Sequence, residues 1–409
     1  MLVLLFLIPL LLLGFYAFQA IKTLTQKRWI RLAYLVFCGA ILLDFFTRLI
    51  VFKRTEAMEG SKAYSFGLVL TIAAAQLVLV IFMFGEDIVR FIKALFAKRT
   101  KSTKPLHLPS RRKFISQLAL GLAAIPFSSM LYGMFKGKYD FRVLSYELEF
   151  DDLPEAFDGY KITQVSDIHC GSFDNREKVA YGVDLIKEQN SDAIVFTGDL
   201  VNNLSNELED WKDLLGSISA PDGVFSVLGN HDYGDYYRWD NEADKKENFA
   251  QIKKLQTEMG WDLLLNENRK IERDGQYLNI VGVENWGNGR FPKYGDEDKA
   301  AGDLTAEDFK ILLSHDPSHW HEKIQNDNRN YQLTLSGHTH GMQFGVEIPG
   351  VEKWSPVKYR YKYWAGVYKV HGRYINVNRG FGYLGYPGRV GIWPEISVIR
   401  LKKKNTSGS

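Results

Sequence analysis

Cysteine is almost absent. The 409 residues contain two, Cys38 within a long apolar run and Cys170 in a region of mixed polarity, so no intrachain disulfide is expected and the redox compartment stays undefined. Internal repeats and low-complexity segments are missing as well, which removes repeat architectures. The larger part of the chain also lacks a surplus of positive charge. Residues 1–140 hold 19 Lys+Arg against 6 Asp+Glu, a net of +13, whereas residues 141–409 hold 32 against 42, a net of −10. An acidic globular part lacks the basic footprint that a phosphate backbone requires, so nucleic acid is not an expected partner and a nuclease is disfavoured. Finally, no basic residue precedes the first apolar run and its cleavage signal is poor, so it is expected to stay as an anchor.

What is present in the first 140 residues is hydrocarbon. MLVLLFLIPLLLLGFYAFQA, WIRLAYLVFCGAILLDFFTRLIVF and SFGLVLTIAAAQLVLVIFMF are each long and apolar, and FISQLALGLAAIPFSSMLYGMF is a less oily fourth run. About 20 such residues cross the ~30 Å core of a bilayer, so residues 1–140 are expected to be a membrane domain with four transmembrane helices. The segment AKRTKSTKPLHLPSRRK carries seven Lys/Arg and no acid. By the positive-inside rule it belongs in the cytoplasm, which sends everything after about residue 136 to the opposite face. Lys53, Arg54 and Lys62 in the 53–64 loop work against that assignment. SRRKFI, Ser110 to Ile115, resembles a twin-arginine export signal or is the positive flank of a helix. Asp44 and Arg48, one helical turn apart, are expected to pair and hold helices together.

From residue 141 the pattern changes to short apolar runs closed by polar residues or glycine. YKITQVSDIH, DAIVFTGD, GVFSVLGNHD, LNIVGVEN, FKILLSHDP and YQLTLSGHTH read as buried strands. NREKVAYGVDLIKEQN, WKDLLGSI and NFAQIKKLQTEMG have helical spacing, which gives an α/β class. A globular domain is expected over 141–402 and a disordered tail over 403–409. Five strand ends gather chemistry: SDIHCG, TGDLV, LGNHDYG, SHDPS and SGHTHG. They deliver Asp167, His169, Asp199, Asn230, His315, His338 and His340 to strand mouths, where a rigid frame presents functional groups. Two histidines two apart on a strand would share one face.

These five blocks, in this order, resemble the calcineurin-like metallophosphoesterase superfamily, with its D-x-H, G-D, G-N-H-D/E, H and G-H-x-H signatures. The flanks PEAFDGYKITQVSDIH and NRGFGYLGYPGRVGIWPEISVIRL resemble its membrane-attached bacterial branch, the relatives of twin-arginine-type phosphodiesterases. The resemblance implies a β-sandwich flanked by helices, with two divalent metal ions at one edge. It implies that one metal takes Asp167, His169, Asp199 and His340 and the other takes Asp199, Asn230, His315 and His338, Asp199 bridging. Mixed nitrogen and oxygen ligands suit Mn, Fe or Zn. A metal-bridging hydroxide would then attack phosphorus in line. His231 is left without a metal and is expected to protonate the leaving alkoxide, with Asp232 orienting its ring. Cys170 is read as a packing residue, and His319, His321 and His371 match no motif.

The loops DYGDYYRWD, NWGNGRFPKYG and KWSPVKYRYKYWAG combine aromatic and basic residues and are candidates for substrate contact or for the lipid interface. The expected protein is thus a multi-pass membrane phosphoesterase of a bacterial inner membrane. Its catalytic domain is extracytoplasmic and acts on phosphodiesters of a lipid or envelope polymer. A non-catalytic phospho-ligand sensor and a cytoplasmic-facing hydrolase of nucleotide-linked acylated sugars are the alternatives. Protein partners are not indicated.

Overall fold

The computed structural model describes residues 2–51, 60–100, 109–289, 291, 293–348 and 350–404. They group into two compact units, one ending at Phe135 and the other starting at Lys136. The boundary falls before the expected residue 140 because Lys138 and Tyr139 are buried in the second unit, where the Lys138 ammonium donates to Asp174 at 2.7 Å. The basic loop residues 101–108, residues 53–59 with Lys53 and Arg54, and tail residues 405–409 lie outside the described residues, while Lys403 still belongs to a strand.

The first unit contains α1 (Leu2–Leu24), α2 (Arg28–Val51), α3 (Gly60–Thr100) and α4 (Pro109–Phe135). All four are long and apolar enough to cross a membrane. Ala17, Ala20, Ala119 and Ala123 pack with Leu79 and Met83 at the centre. Small residues allow helices in lipid to approach closely, while Phe6, Phe15, Leu43 and Phe84 point outward. Polar groups pair rather than stand alone. Asp44 accepts from Arg48 at 2.9 Å and from the Ser65 hydroxyl at 2.5 Å, and Arg48 donates to Ser61 at 2.8 Å, so the expected pair also ties α2 to α3. Both arginines of SRRKFI have partners on α3. Arg111 donates to Glu86 at 3.2 Å, and Arg112 to Glu86 at 2.8 Å and Asp87 at 2.6 Å. Tyr16 of α1 completes the clamp on Asp87 at 2.5 Å.

The second unit contains two six-stranded sheets and a short ribbon. In chain order the strands are β1 (Arg142–Phe150), β2 (Lys161–Val165), β3 (Ala193–Phe196), β4 (Val224–Ser226), β5 (Asp262–Leu263), β6 (Glu267–Arg273), β7 (Gln276–Gly282), β8 (Lys310–Leu313), β9 (Leu333–Ser336), β10 (Val346–Ile348), β11 (Glu352–Trp354), β12 (Gly366–Val370), β13 (Arg373–Val377) and β14 (Glu395–Lys403). The sheets run β1-β14-β2-β3-β4-β5 and β12-β13-β9-β8-β7-β6. Within them β2, β3, β4 and β5 are parallel, as are β7, β8, β9 and β13.

Side-chain alternation explains the layering, because successive strand residues face opposite sides. Ala193 and Val195 of β3, with Ile311 and Leu313 of β8, enter one core shared by both sheets. Ile194 and Phe196 instead face α5 (Arg176–Lys187) and α7 (Glu242–Glu258), and Leu312 faces α9 (Pro317–Glu322). The result is the expected sandwich with helices outside. The Asn175 side chain accepts from the Lys178 amide at 3.0 Å and caps the start of α5. Because parallel strands release the chain at one edge, the segments after β2, β3, β4, β8 and β9 converge.

The clamp on α3 yields a prediction. Arg112→Ala leaves the buried Glu86 carboxylate with one weaker partner, a loss on the order of 3 kcal/mol. The full-length protein in detergent should melt at a lower temperature, and Arg112→Lys should recover part of the difference. An unchanged melting temperature in Arg112→Ala would contradict a structural role for the pair.

Candidate metal centre

Each expected ligand follows a strand within a few residues, and the backbone turns sharply to present it. Asp167, His169, Asp199, His338 and His340 all have positive φ, between 47° and 70°. Left-handed geometry at five non-glycine positions is costly and marks a functional region. It also corrects one expectation: His338 and His340 lie beyond the end of β9, so alternation along a strand does not place them. Close approach of the loops requires glycine. A Cβ on Gly229 would lie 2.2 Å from Asp199 Oδ1, and one on Gly337 would lie 2.2 Å from Asp167 Oδ2.

Two groups form. Asp167, His169 and His340 make one, and Asp199, His315 and His338 the other, each with donor atoms close enough to hold a metal ion. In the first, His169 Nε2 lies 3.1 Å from His340 Nε2, and His340 Nε2 lies 3.3 Å from Asp167 Oδ1. In the second, His315 Nε2 lies 3.3 Å from His338 Nδ1 and 3.2 Å from Asp199 Oδ2. The same Asp199 Oδ2 is 3.5 Å from His169 Nε2, so this carboxylate touches both groups.

The outer contacts set the rings. His315 Nδ1 is 2.7 Å from the Thr197 carbonyl, which leaves Nε2 toward Asp199. His338 Nε2 is 2.8 Å from the Tyr361 hydroxyl and 3.5 Å from Asp316 Oδ2, leaving Nδ1 facing inward. Such partners fix the tautomer of a ligating imidazole. Asn230 donates through Nδ2 to the Tyr236 hydroxyl at 3.1 Å, and its buried Oδ1 has no hydrogen-bond donor among the described residues. That is the atom a metal would take.

Electrostatics prepare most of this donor set. Burial pushes Asp167 up to about 6, and burial with the Asp199 charge pushes Asp232 up to about 7. Burial pushes His169 down to about 3 and His338 down to about 4, so both imidazoles are neutral with a lone pair to give. Burial opposes ionisation of Asp199, yet His315 first and then His231 hold it well below the usual carboxylate range. Burial would likewise lower His315, but the Asp199 carboxylate raises it to about 10, so without a cation its ring carries a proton toward Asp199 that metal binding must displace. Buried carboxylates beside neutral imidazoles call for compensating positive charge, which divalent cations supply.

One catalytic expectation changes. Asp232 does not orient His231. Its carboxylate accepts backbone N–H bonds from Asp199 at 3.0 Å, Leu200 at 2.8 Å, Val201 at 3.3 Å and Gly229 at 2.8 Å, and so binds two motif loops together. The His231 ring is fixed instead by the Asn202 carbonyl, 2.7 Å from Nδ1, while its amide donates to Asp199 Oδ1 at 2.8 Å. Cys170 is fully buried in the outer core, as a packing residue would be. Tyr361, Asp316 and Tyr236 were not singled out as site residues in the sequence. Asp316 follows His315 directly and doubles as the cap of α9, accepting from Ser318 N at 2.8 Å.

Comparison with known proteins fits this geometry. Residues 160–342 match the calcineurin-like phosphoesterase family, and residues 1–138 match the probable calcineurin-like phosphoesterase transmembrane domain. The chain carries a calcineurin-like metallophosphoesterase domain behind an N-terminal four-helix phosphoesterase membrane domain. It is 29% identical over 302 residues to the metallophosphoesterase YkuE of Bacillus subtilis, covering 72% of this chain and 99% of that one. A Helicobacter pylori metallophosphoesterase is 27% identical across 98% of both chains, membrane region included. A zebrafish transmembrane protein with a metallophosphoesterase domain is 28% identical over 80% of this chain and 71% of its own. The similarity therefore extends past the expected bacterial branch. This metallophosphoesterase is a membrane protein and a metal-dependent phosphoric ester hydrolase.

Asp232→Ala removes the acceptor of four backbone donors, and each buried donor left unsatisfied costs about 1–3 kcal/mol. Metal content measured by mass spectrometry should fall although no proposed ligand is altered. Full metal content in this variant would contradict the organising role.

Proposed function

We propose that this metallophosphoesterase is a phosphodiesterase that uses two divalent cations, manganese, iron or zinc, and acts on a lipid or cell-envelope polymer outside the cytoplasm. One cation is assigned to Asp167, His169, His340 and Asp199, and the other to Asn230, His315, His338 and Asp199. The observation that carries the reading is the Asp199 carboxylate, whose Oδ2 faces both groups at 3.2 and 3.5 Å. Cations bound there would draw in the phosphoryl oxygens and acidify water.

Protein groups do the rest. His231 borders the same cavity, of about 270 Å3, with Nδ1 fixed by a carbonyl. Its Nε2 can therefore carry a proton to the leaving alkoxide. All three loops singled out in the sequence reach the site. Tyr236 holds Asn230, Phe291 meets the His338 ring edge-on at 4.9 Å, and Arg360 and Tyr361 line the cavity. Arg360 also borders a neighbouring cavity of about 250 Å3, which gives a diester room for its second substituent beside a cation.

Four membrane helices favour a substrate concentrated at the same surface. The seven basic residues from Lys98 to Lys113, which span the end of α3, the following loop and the start of α4, support a cytoplasmic junction and an outward catalytic unit, as in a bacterial inner membrane. That topology disfavours nucleotide-linked acylated sugars, which are made inside.

The test is Mn2+-dependent hydrolysis of bis(p-nitrophenyl) phosphate by the full chain in detergent, with p-nitrophenyl phosphate alongside. Diester turnover should exceed monoester turnover and vanish in Asn230→Ala, which should also lose about half of its bound manganese. Arg360→Ala should raise KM by about tenfold with kcat little changed. Preference for the monoester would overturn the diesterase reading, and full metal content in Asn230→Ala would overturn the ligand assignment.

A further inference from the structure

Phe344, Val346 and Ile348 alternate along one extended segment, Met342 lies in the turn just before it, and all four are exposed, by 41%, 49%, 51% and 59%. Val351, at the tip of the β10–β11 ribbon, is 77% exposed. Apolar side chains in such a row are unusual on a soluble surface and mark an interaction site.

The stripe cannot turn inward, because the intervening residues are fastened on the other side. Gln343 donates to the carbonyls of Tyr386 at 2.9 Å and Gly388 at 3.0 Å, and accepts from the Leu384 amide at 2.7 Å. Gly345 donates to the Val390 carbonyl at 2.9 Å, and Glu347 accepts from Arg379 at 2.6 Å.

Charge around the stripe differs from the rest of the unit. Residues 342–362 carry Lys353, Lys358, Arg360 and Lys362 against Glu347 and Glu352, a local excess of positive charge within the −10 of residues 141–409. Tyr359, 79% exposed, stands among them. An apolar ridge with basic and tyrosine flanks fits an anionic phospholipid interface. The stripe also begins at the active site, since Met342 lines the metal cavity. The catalytic unit follows the last membrane helix directly, Lys136 after Phe135.

We propose that the apolar stripe of Met342, Phe344, Val346 and Ile348, with Val351, inserts into an anionic phospholipid surface and seats the mouth of the metal cavity among lipid head groups. Membrane contact stands on its own. Its catalytic consequence, delivery of a lipid-borne diester, rests on the phosphodiesterase reading above.

The experiment uses the full chain reconstituted in vesicles of phosphatidylcholine with phosphatidylglycerol. Cys38 and Cys170 are both buried, so Val351→Cys provides an accessible thiol for an environment-sensitive fluorophore. The proposal predicts blue-shifted emission that is quenched by spin-labelled acyl chains, more strongly with phosphatidylglycerol than without it. Emission unshifted and unquenched would overturn membrane insertion. Equal quenching without phosphatidylglycerol would overturn the anionic preference. An unquenched shift that grows with protein density would assign the stripe to a second copy. In a second arm, Ile348→Asp with Val351→Asp should keep the turnover of bis(p-nitrophenyl) phosphate and lose at least about tenfold against a phosphodiester held in vesicles. Equal loss on both substrates would overturn the delivery role. Failure of the unaltered chain on the soluble diester would instead sink the phosphodiesterase reading and leave the fluorescence result to decide membrane contact.

Discussion

The catalytic unit is organised around one shared carboxylate. Asp199 is buried, accepts from the His231 amide through Oδ1, and turns Oδ2 toward imidazoles of both ligand groups. A charge in such a place is tolerated only among compensating partners. The surrounding structure supplies imidazoles on both sides, and it makes room for the carboxylate with a left-handed backbone at Asp199 and glycine at 229, where any side chain would collide with it. The Asp232 carboxylate then holds the Asp199 loop to the Gly229 loop through backbone donors. Strand alternation, the two-sheet core and the parallel order of β2, β3 and β4 deliver these loops to one edge.

Much of this was legible because the relevant signals are local. Runs such as DAIVFTGD and FKILLSHDP are short, apolar and closed by polar residues, and they became β3 and β8 with their motifs just past the ends. The parallel arrangement that brings five such ends together follows from helices between strands. Long-range pairing was less accessible. β14 lies between β1 and β2, although its partners in β1 are about 250 residues away in sequence, and no local pattern encodes that neighbour. The β10–β11 ribbon carries no signal in the sequence beyond Lys353 and Trp354, which open the aromatic and basic loop, because its exposed valines and isoleucine look like ordinary strand residues until their environment is known.

At the site itself, residue types were more legible than roles. His338 and His340 come together through a left-handed turn after β9, not through strand periodicity. Asp232, adjacent to His231 in the chain, faces backbone amides instead of the imidazole. Adjacency suggests contact, but the 3-10 turn over His231–Tyr233 sends neighbouring side chains in different directions. Tyr361 and Tyr236 act through hydroxyls on His338 and Asn230, and a tyrosine in an aromatic loop gives no sequence sign of that use.

The membrane unit and the catalytic unit use charge in opposite ways. Among its described residues the first buries few charges and pairs them, as in the Arg112 contacts with Glu86 and Asp87. The second concentrates buried carboxylates and imidazoles so that cations complete the cluster. The most direct test of this account is low-temperature electron paramagnetic resonance of the manganese-loaded full chain. Two ions sharing Asp199 should give the multiline spectrum of an exchange-coupled pair. The six-line spectrum of isolated manganese at saturating metal would contradict the shared site.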